Sequence, residues 1–524
     1  MRATTSSLGI TAIFFLVSMA ADAQQLQRLE RPLVPLMTLT GQMFVPQSDE
    51  QLRQLANTYR LVNAHGGLAG ELTEPAEFGR RLRAVNPDFL LSHYLNGSYV
   101  GQGQTQEAPE VERLFPLGIA VWRPDCRLKS GVSAEQTSLE ILPPSQLPSA
   151  APPIYPLKAS TTSEQYSRTK NQYVAWLRMN QEILRIDRAE AVDGAIRLTV
   201  RRGTWNTTAA QHGPDSAVLL PIYIGSVRQG ADVSLGGVPD SKSGLVGLRY
   251  ALQVQDPGFQ QWLGDKCERI FRMGFDVAWL DVTSSSWYNN ADAYGNAITP
   301  WDIAKARPLD NAAYLEYQQQ KIDYLFKRFP DRRFFVNNVK PWMYTGAAGE
   351  RRMMTGEPGH HPVSGGSIEN YANVRDESAW RETVETTLDF VKSGFTGVAW
   401  SKAQGQQNSP RYRLFAYATF LMAWQPEAKL MFGGGWGPGR RPDEFHCWDL
   451  AAPSEHFAKV DDAQRPDAPG VYQRKFRKGL VLVNTRNRNA ASIRLEGRWL
   501  APETQTAVDT IELPAMSAKL LLKQ

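Results

Sequence analysis

The sequence predicts an α/β chain: a (β/α)₈ TIM barrel with an inserted β-rich domain and a C-terminal antiparallel β-sandwich. Three observations predict it. Short apolar segments alternate with amphipathic helical ones over residues 33–94 and again over 248–424, the rhythm of a parallel sheet covered by helices. Between these stretches the rhythm gives way to strand-like segments. After about residue 436 it gives way a second time, to a run of short strands.

The barrel elements follow in order. Strands are predicted over residues 33–39, 60–64 and 88–94. Helices fill the gaps at 48–59, with Ser48 as N-cap and Glu50 in the first turn, and at 74–85. The rhythm resumes with a strand at 248–254, a helix from Pro257 to Met273 and a strand ending at Asp281. A helix at 314–329, strands at 333–339 and 365–371, a helix at 380–392, a strand at 394–400 and a helix at 411–424 complete it. These are eight strands, the number a closed barrel needs. By this count Asp281 ends the fifth strand, Glu369 lies on the seventh and Trp400 on the eighth.

The interruption is β-rich. A Pro/Ser-rich stretch from Leu142 to Pro156 excludes regular structure there. Residues 182–189 and 195–202 alternate apolar and polar positions around Val192-Asp193-Gly194, a hairpin signal. A further strand is expected at 216–224. Near the C-terminus, residues 471–476, 479–484, 491–495, 510–513 and 518–522 predict the small sandwich. The expected division is therefore 1–23 signal peptide, 24–114 first part of the barrel, 115–245 inserted domain, 246–435 second part of the barrel and 436–524 sandwich.

Composition narrows the function classes. Arg2, the apolar stretch 8–19 and Ala21-Asp22-Ala23 before Gln24 read as a secretory signal peptide, too short to span a bilayer. The expectation is an exported protein, periplasmic or secreted, without stable membrane insertion. A net charge of +5 spread without basic blocks argues against a nucleic-acid partner. Cys126, Cys267 and Cys447 share no ligand spacing; an odd count allows at most one disulfide, and buried thiols are expected. No zinc motif, phosphate loop or Gly-x-Ser-x-Gly elbow occurs, and the adjacent His360-His361 have no partners at suitable spacing. No cofactor and no metal are expected. Fourteen tryptophans and eighteen tyrosines supply aromatic faces of the kind sugar rings stack on. The oligomeric state is not readable.

Chemistry in such a barrel sits at the C-terminal ends of the strands. Residues 274–283, Gly-Phe-Asp-Val-Ala-Trp-Leu-Asp-Val-Thr, place a carboxylate, Asp281, at one of those ends. Cleaving a glycosidic bond takes two carboxyl groups: one protonates the leaving oxygen, the other attacks carbon or activates water. Glu369, in Ile368-Glu369-Asn370-Tyr371, is the second candidate, and two strands that are two apart can face each other across the mouth. Asp276 starts its strand and reads as a turn or stability residue; Asp256 reads as a helix cap. Glu357, in a Gly/Pro loop, is a reserve acid and substrate contact, and Glu71 a weaker reserve. Around them, His93, Tyr94, Asn96, Trp287, Asn337, Asn338, Tyr371, Trp400 and Lys402 line one rim with imidazole, amide, indole and phenol groups, suited to a polyhydroxylated ligand. Arg201, Arg202 and His212 would contribute only if the insertion folded over the mouth.

The chain resembles the glycoside-hydrolase-like TIM-barrel proteins, in particular the hypothetical glycosyl hydrolase-like family 15. The matching features are Asp256-Pro257 with its long helix, Gly274-Phe275-Asp276 through Leu280-Asp281, Gly394-Phe395-Thr396-Gly397-Val398-Ala399-Trp400, and the closing module around Gly479–Asn484 and Pro514 to Leu522. The resemblance implies the barrel and an aspartate at the fifth-strand position, and implies no substrate. Val277 stands where such enzymes usually carry glycine, which touches a turn and leaves the carboxylate in place. The functional expectation is an O-glycosyl hydrolase acting on a polysaccharide or oligosaccharide, with Asp281 as nucleophile or base and Glu369 as acid. The alternative is a non-catalytic carbohydrate-binding protein on a degenerate barrel; a structural envelope protein is a third reading. Sequence contains no distance between the carboxyls, so retention and inversion both stay open.

Overall fold

Alternation along the strands decides which side chains fill the interior. The computed structural model describes residues 28–40, 48–64, 75–101, 122–142, 175–204, 207–221, 223–227, 245–281, 283, 301–302, 307–337, 339–341, 344, 349–356, 358–374, 376–401, 409–434 and 442–524. The expected signal peptide lies outside them. Eight parallel strands close into a barrel: β1 (Leu36–Thr40), β2 (Tyr59–Ala64), β3 (Leu90–Asn96), β4 (Val277–Asp281), β5 (Arg333–Val336), β6 (Gly365–Glu369), β7 (Thr396–Ser401) and β8 (Leu430–Gly434). They pair in chain order, and β8 closes on β1. With a side-chain period of two, Met37, Leu61, Val277, Trp279, Phe335, Val398, Trp400 and Met431 point inward and form one packed cluster. Their neighbours Ala278, Leu280, Phe334 and Val336 point outward into the larger core beneath the helices.

The helical layer consists of α1 (Asp49–Thr58), α2 (Pro75–Val85), α3 (Pro257–Arg272), α4 (Asn311–Arg328), α5 (Arg351–Thr355), α6 (Glu377–Ser393) and α7 (Pro410–Ala423). Ser48 accepts from the Gln51 amide and so caps α1. Asp256 accepts from the Gly258 and Phe259 amides and caps α3, as its place before Pro257 suggests. Among the described residues no helix is long and apolar enough to cross a membrane.

Two strand expectations are corrected. Of residues 248–254, 248–251 belong to the strand Leu245–Ala251, which pairs antiparallel with Tyr223–Val227 and Tyr99–Gly101 outside the barrel. The eighth barrel strand is Leu430–Gly434. Asp281 therefore ends the fourth strand, Glu369 ends the sixth, and Trp400 lies on the seventh. Apolar periodicity does not distinguish a parallel from an antiparallel partner, and two terminal glycines make β8 read as a turn. Inside the barrel Gly433 has a packing reason: a Cβ there would lie 3.3 Å from Met37 Sδ and 3.4 Å from Trp400 Cδ1.

Between β3 and β4, strands Trp122–Leu128, Ser138–Leu142, Ala175–Met179, Glu182–Val192, Ala195–Thr204 and Ala217–Pro221 form an antiparallel sheet. Ala217–Pro221 pairs with both Ala175–Met179 and Trp122–Leu128, so the sheet closes around its own core of Cys126, Leu128, Ile141, Leu177, Leu184 and Leu198. Val192 faces Ala195, leaving Asp193-Gly194 as the expected two-residue turn.

At the C-terminus, where two facing sheets are expected, the described residues form one five-stranded antiparallel sheet: Val471–Lys475, Gly479–Asn484, Ala491–Ala501, Thr506–Leu513 and Ser517–Lys523. Tyr472, Val481, Val483, Leu520 and Leu522 join the core over the barrel helices. The opposite face, with Val471, Leu482, Ile493, Leu513 and Leu521, folds onto itself as a second core. Fully buried Arg474 fastens the sheet to α7, donating to the carbonyls of Leu421 at 2.6 Å, Trp424 at 2.7 Å and Glu455 at 3.2 Å. Burial pushes its guanidinium down to about 10. None of the three cysteines is in a disulfide; Cys126 and Cys267 are buried, Cys447 half-buried.

Candidate active site

The inward parity of β4 runs Val277, Trp279, Asp281. The first two are sealed in the barrel plug, and the third emerges half-buried at the C-terminal end. On β6 the same parity brings Ser367, fully buried, and then Glu369. On β3 it brings Tyr94, packed against the plug, and then Asn96, which lies opposite Asp281 in register. Asn337 follows β5 and is 2 % exposed; its amide nitrogen of the backbone bonds the Leu280 carbonyl at 3.0 Å, extending the ladder by one residue.

Asp281, Glu369, Asn337, Ser367 and Tyr94 share one network. Asn337 Nδ2 donates to Asp281 Oδ1 at 2.8 Å and to Glu369 Oε2 at 3.0 Å. Ser367 donates its hydroxyl to Asn337 Oδ1, which fixes which end of the amide faces the carboxylates. Tyr94 donates its hydroxyl to the other oxygen of Asp281. Both oxygens of Asp281 are thus oriented by donors on neighbouring strands. Because one nitrogen reaches both carboxylates, the two bonded oxygens lie within about 6 Å of each other. The floor under them is the apolar plug of Trp279, Phe335 and Trp400.

The remaining predicted residues divide. Trp400 sits beside Glu369 in register, 9 % exposed, on the inward face. Asn96 is half-buried and accepts from the Ser98 amide at 3.2 Å. His93 has the opposite parity: its ring packs edge-on against Phe275 in the helix-facing layer, with centroids 5.0 Å apart, so it faces away from the mouth. Tyr371 is sealed beneath the helices, its hydroxyl 3.2 Å from Thr387 and its ring edge-on to Phe420; burial pushes that hydroxyl up, and no sugar can stack on it. Trp287, Asn338, Glu357 and Lys402 lie outside the described residues, as does Glu71. Asp276, at the far end of β4, pairs with Arg83 at 2.7 Å and accepts from the Leu91 amide, a stabilising turn.

Arg202 and His212 are not at the mouth. They converge on buried Glu182 inside the antiparallel sheet, Arg202 through two bonds of 2.7 and 2.8 Å and His212 through one of 2.7 Å. His360 pairs with Asp323 of α4 at 2.5 Å, and His361 stacks on Phe326. Among the described residues no group of three or more His, Cys, Asp or Glu side chains could hold a metal ion. Sequence reading missed Ser367, although its parity with Glu369 on a Gly-Gly-Ser-Ile-Glu strand was a usable signal. It named Tyr94 and Asn337 as substrate contacts, whereas here both donate to the carboxylates, a placement that depends on which strands are neighbours.

No family model matches the chain, and no curated protein matches it. Some solved structures are similar to it at low identity. A GH31 dextranase of Flavobacterium johnsoniae, complexed with isomaltotriose, is 11 % identical with a TM-score of 0.38, covering 94 % of this chain and 52 % of its own. The chain thus spans about half the length of that enzyme. The trehalose-6-phosphate hydrolase of Bacillus licheniformis is 8 % identical with a TM-score of 0.40, covering 93 % and 98 %. The pyruvate kinase of Cryptosporidium parvum, with ADP, is 10 % identical with a TM-score of 0.33, covering 82 % and 69 %. At these TM-scores the likenesses carry no argument about fold or chemistry.

Proposed function

We propose that this chain is an O-glycosyl hydrolase acting on an oligosaccharide or polysaccharide, with Asp281 and Glu369 as its working pair. The observation that carries the reading is the single amide nitrogen of Asn337 within hydrogen-bond reach of both carboxylates. Retention, which takes roughly 5–5.5 Å between carboxyls against roughly 6.5–9.5 Å for inversion, is the stereochemistry proposed, and the anomer test below decides it. In this scheme Asp281 attacks the anomeric carbon while Glu369 gives its proton to the departing oxygen. Glu369 then takes a proton from water, which displaces Asp281 and leaves the anomeric configuration unchanged overall. Asn96 and Trp400 would border the sugar; Trp287, Asn338, Glu357 and Lys402 remain proposed contacts. Membership of the hypothetical glycosyl hydrolase-like family 15, export by residues 1–23 and the division into an inserted domain (115–245) and a C-terminal module (436–524) belong to the same proposal.

The test is a screen of oligosaccharides and of 4-nitrophenyl α- and β-glycosides with wild type, Asp281→Asn and Glu369→Gln, reading released sugar and binding. Release by wild type that falls at least roughly 10³-fold in Asp281→Asn, with binding kept, is expected. NMR of the first-formed anomer should report retention. Binding by all three proteins without release would make this a carbohydrate-binding barrel instead.

A further inference from the structure

Helix α4 carries three buried polar side chains on one face: Tyr314, Gln318 and Lys321, spaced four and three residues apart. The face does not look at the active site. It looks at the backs of the two chain segments that leave β3 and β4. Gln318 Nε2 donates to Ser98 Oγ at 3.1 Å and to Tyr314 at 2.7 Å. Lys321, with no exposed surface, donates from Nζ to the Gly97 carbonyl at 2.7 Å and to Thr283 Oγ1 at 2.9 Å. The Gly97 amide in turn donates to the Asp281 carbonyl at 2.9 Å. The two segments are pressed together: a Cβ on Gly97 would meet Thr283 Oγ1 at 2.4 Å and the Asp281 carbonyl at 3.0 Å.

A lysine is an expensive residue to bury against two uncharged partners, and burial holds its amine well below the ordinary lysine range. Methionine would fill similar space without that desolvation. What methionine lacks is a donor tip on a long stem, able to bond two strand ends at once. Tyr94 lies three residues before Gly97, and Asp281 two residues before Thr283. The two segments joined by Lys321 are therefore those that carry the hydroxyl and the carboxylate of the Tyr94–Asp281 pair.

We propose that Lys321 is a positioning residue: by bonding Gly97 and Thr283 it fixes the angle at which Asp281 meets Tyr94, Asn337 and the anomeric carbon. The proposal rests on the reading of Asp281 as nucleophile. It acts through backbone, so its signature is separable from general packing.

The test compares wild type, Lys321→Met and Thr283→Val as full chains. Two readouts are taken: turnover of the best-cleaved 4-nitrophenyl glycoside, and amide exchange over residues 94–98, 277–283 and 491–522. Expected are a kcat lowered roughly 10- to 100-fold with KM changed less than about threefold. Exchange at Gly97 should speed up about tenfold, with that of the C-terminal sheet unchanged. Thr283→Val should reproduce a smaller part of both effects, and it carries the test alone if Lys321→Met does not fold. The proposal is overturned if kcat and Gly97 exchange both stay within about twofold of wild type. It is overturned equally if exchange accelerates alike across the molecule. Should wild type cleave no glycoside, the glycosidase reading fails by itself, and exchange at Gly97 still upholds or overturns the brace.

Discussion

Asn337 is the residue on which the two carboxylates meet. An amide can donate two hydrogen bonds from one nitrogen, and here each goes to a different carboxylate while Ser367 occupies the carbonyl end. Removing it takes away the donor that Asp281 and Glu369 share. Asn337→Ala is expected to lower kcat/KM by roughly 10²–10³-fold, read on the glycoside that wild type cleaves best, with glycan binding weakened far less. Tyr94→Phe deletes one donor to Asp281 and should cost about tenfold. An Asn337→Ala protein as active as wild type would remove the network from the mechanism. At this scale the placement of Asp281 and Glu369 was legible in sequence because each closes a short strand-like run. His93 and Tyr371 could not be excluded, since a one-residue change of parity moves a side chain from the mouth to the helix layer.

The antiparallel sheet between β3 and β4 is held by Glu182 at the element scale. Its carboxylate is fully buried and receives Arg202, His212 and the amides of Gly203 and Ala210. Burial works against the charge, but those four donors outweigh it and hold Glu182 down at about 2. The unfolded chain takes up this proton near the ordinary 4.5 and the folded one only near 2. The stability Glu182 contributes is therefore complete above about 4.5 and is lost as pH falls towards 2. Glu182→Gln should destabilise this sheet by roughly 3–5 kcal/mol at neutral pH, since it removes the only negative charge paired with buried Arg202 among the described residues. Amide exchange over 175–204 and melting between pH 5 and 2 check this; a variant with wild-type melting and the same acid limb would refute it. Hairpin 182–204 was readable from its alternation and its Asp-Gly turn. The convergence of Arg202 and His212 was not, because 20 and 30 residues of sequence separate them from Glu182.

For the whole molecule, the seam between the barrel's first and last strands depends on His446. Its carbonyl accepts from the Leu33 amide ahead of β1, and its ring packs on Tyr417 of α7, Phe432 of β8 and Phe445. Burial holds it down at about 4, with Arg413 adding to the depression and Asp443 opposing it. The unfolded chain binds this proton from about 6.5 downward and the folded chain only near 4, so stability is full above 6.5 and declines as pH falls to 4. The loss at the low end is on the order of 3 kcal/mol. His446→Phe should flatten the difference between urea midpoints at pH 7.5 and pH 4.5, and an unchanged difference would place the acid sensitivity elsewhere. This window lies above that of Glu182, so the seam should weaken before the antiparallel sheet does.

Sequence by itself determined the barrel class, the place of the β-rich interruption, the caps at Ser48 and Asp256 and the position of Asp281 and Glu369 at strand ends. Each of these is local: periodicity, a capping side chain beside its helix, a charged residue closing an apolar run. Tertiary structure alone decided that residues 248–254 leave the barrel and 430–434 enter it, because strand identity depends on partners and β8 is recognised by its parallel pairing with β7 and β1. It alone decided that Asn337 joins Asp281 to Glu369, and that Lys321 stands behind Gly97. Those contacts unite residues 32 to 224 positions apart, and the closure of the sheet, not any local pattern, brings them within hydrogen-bond distance.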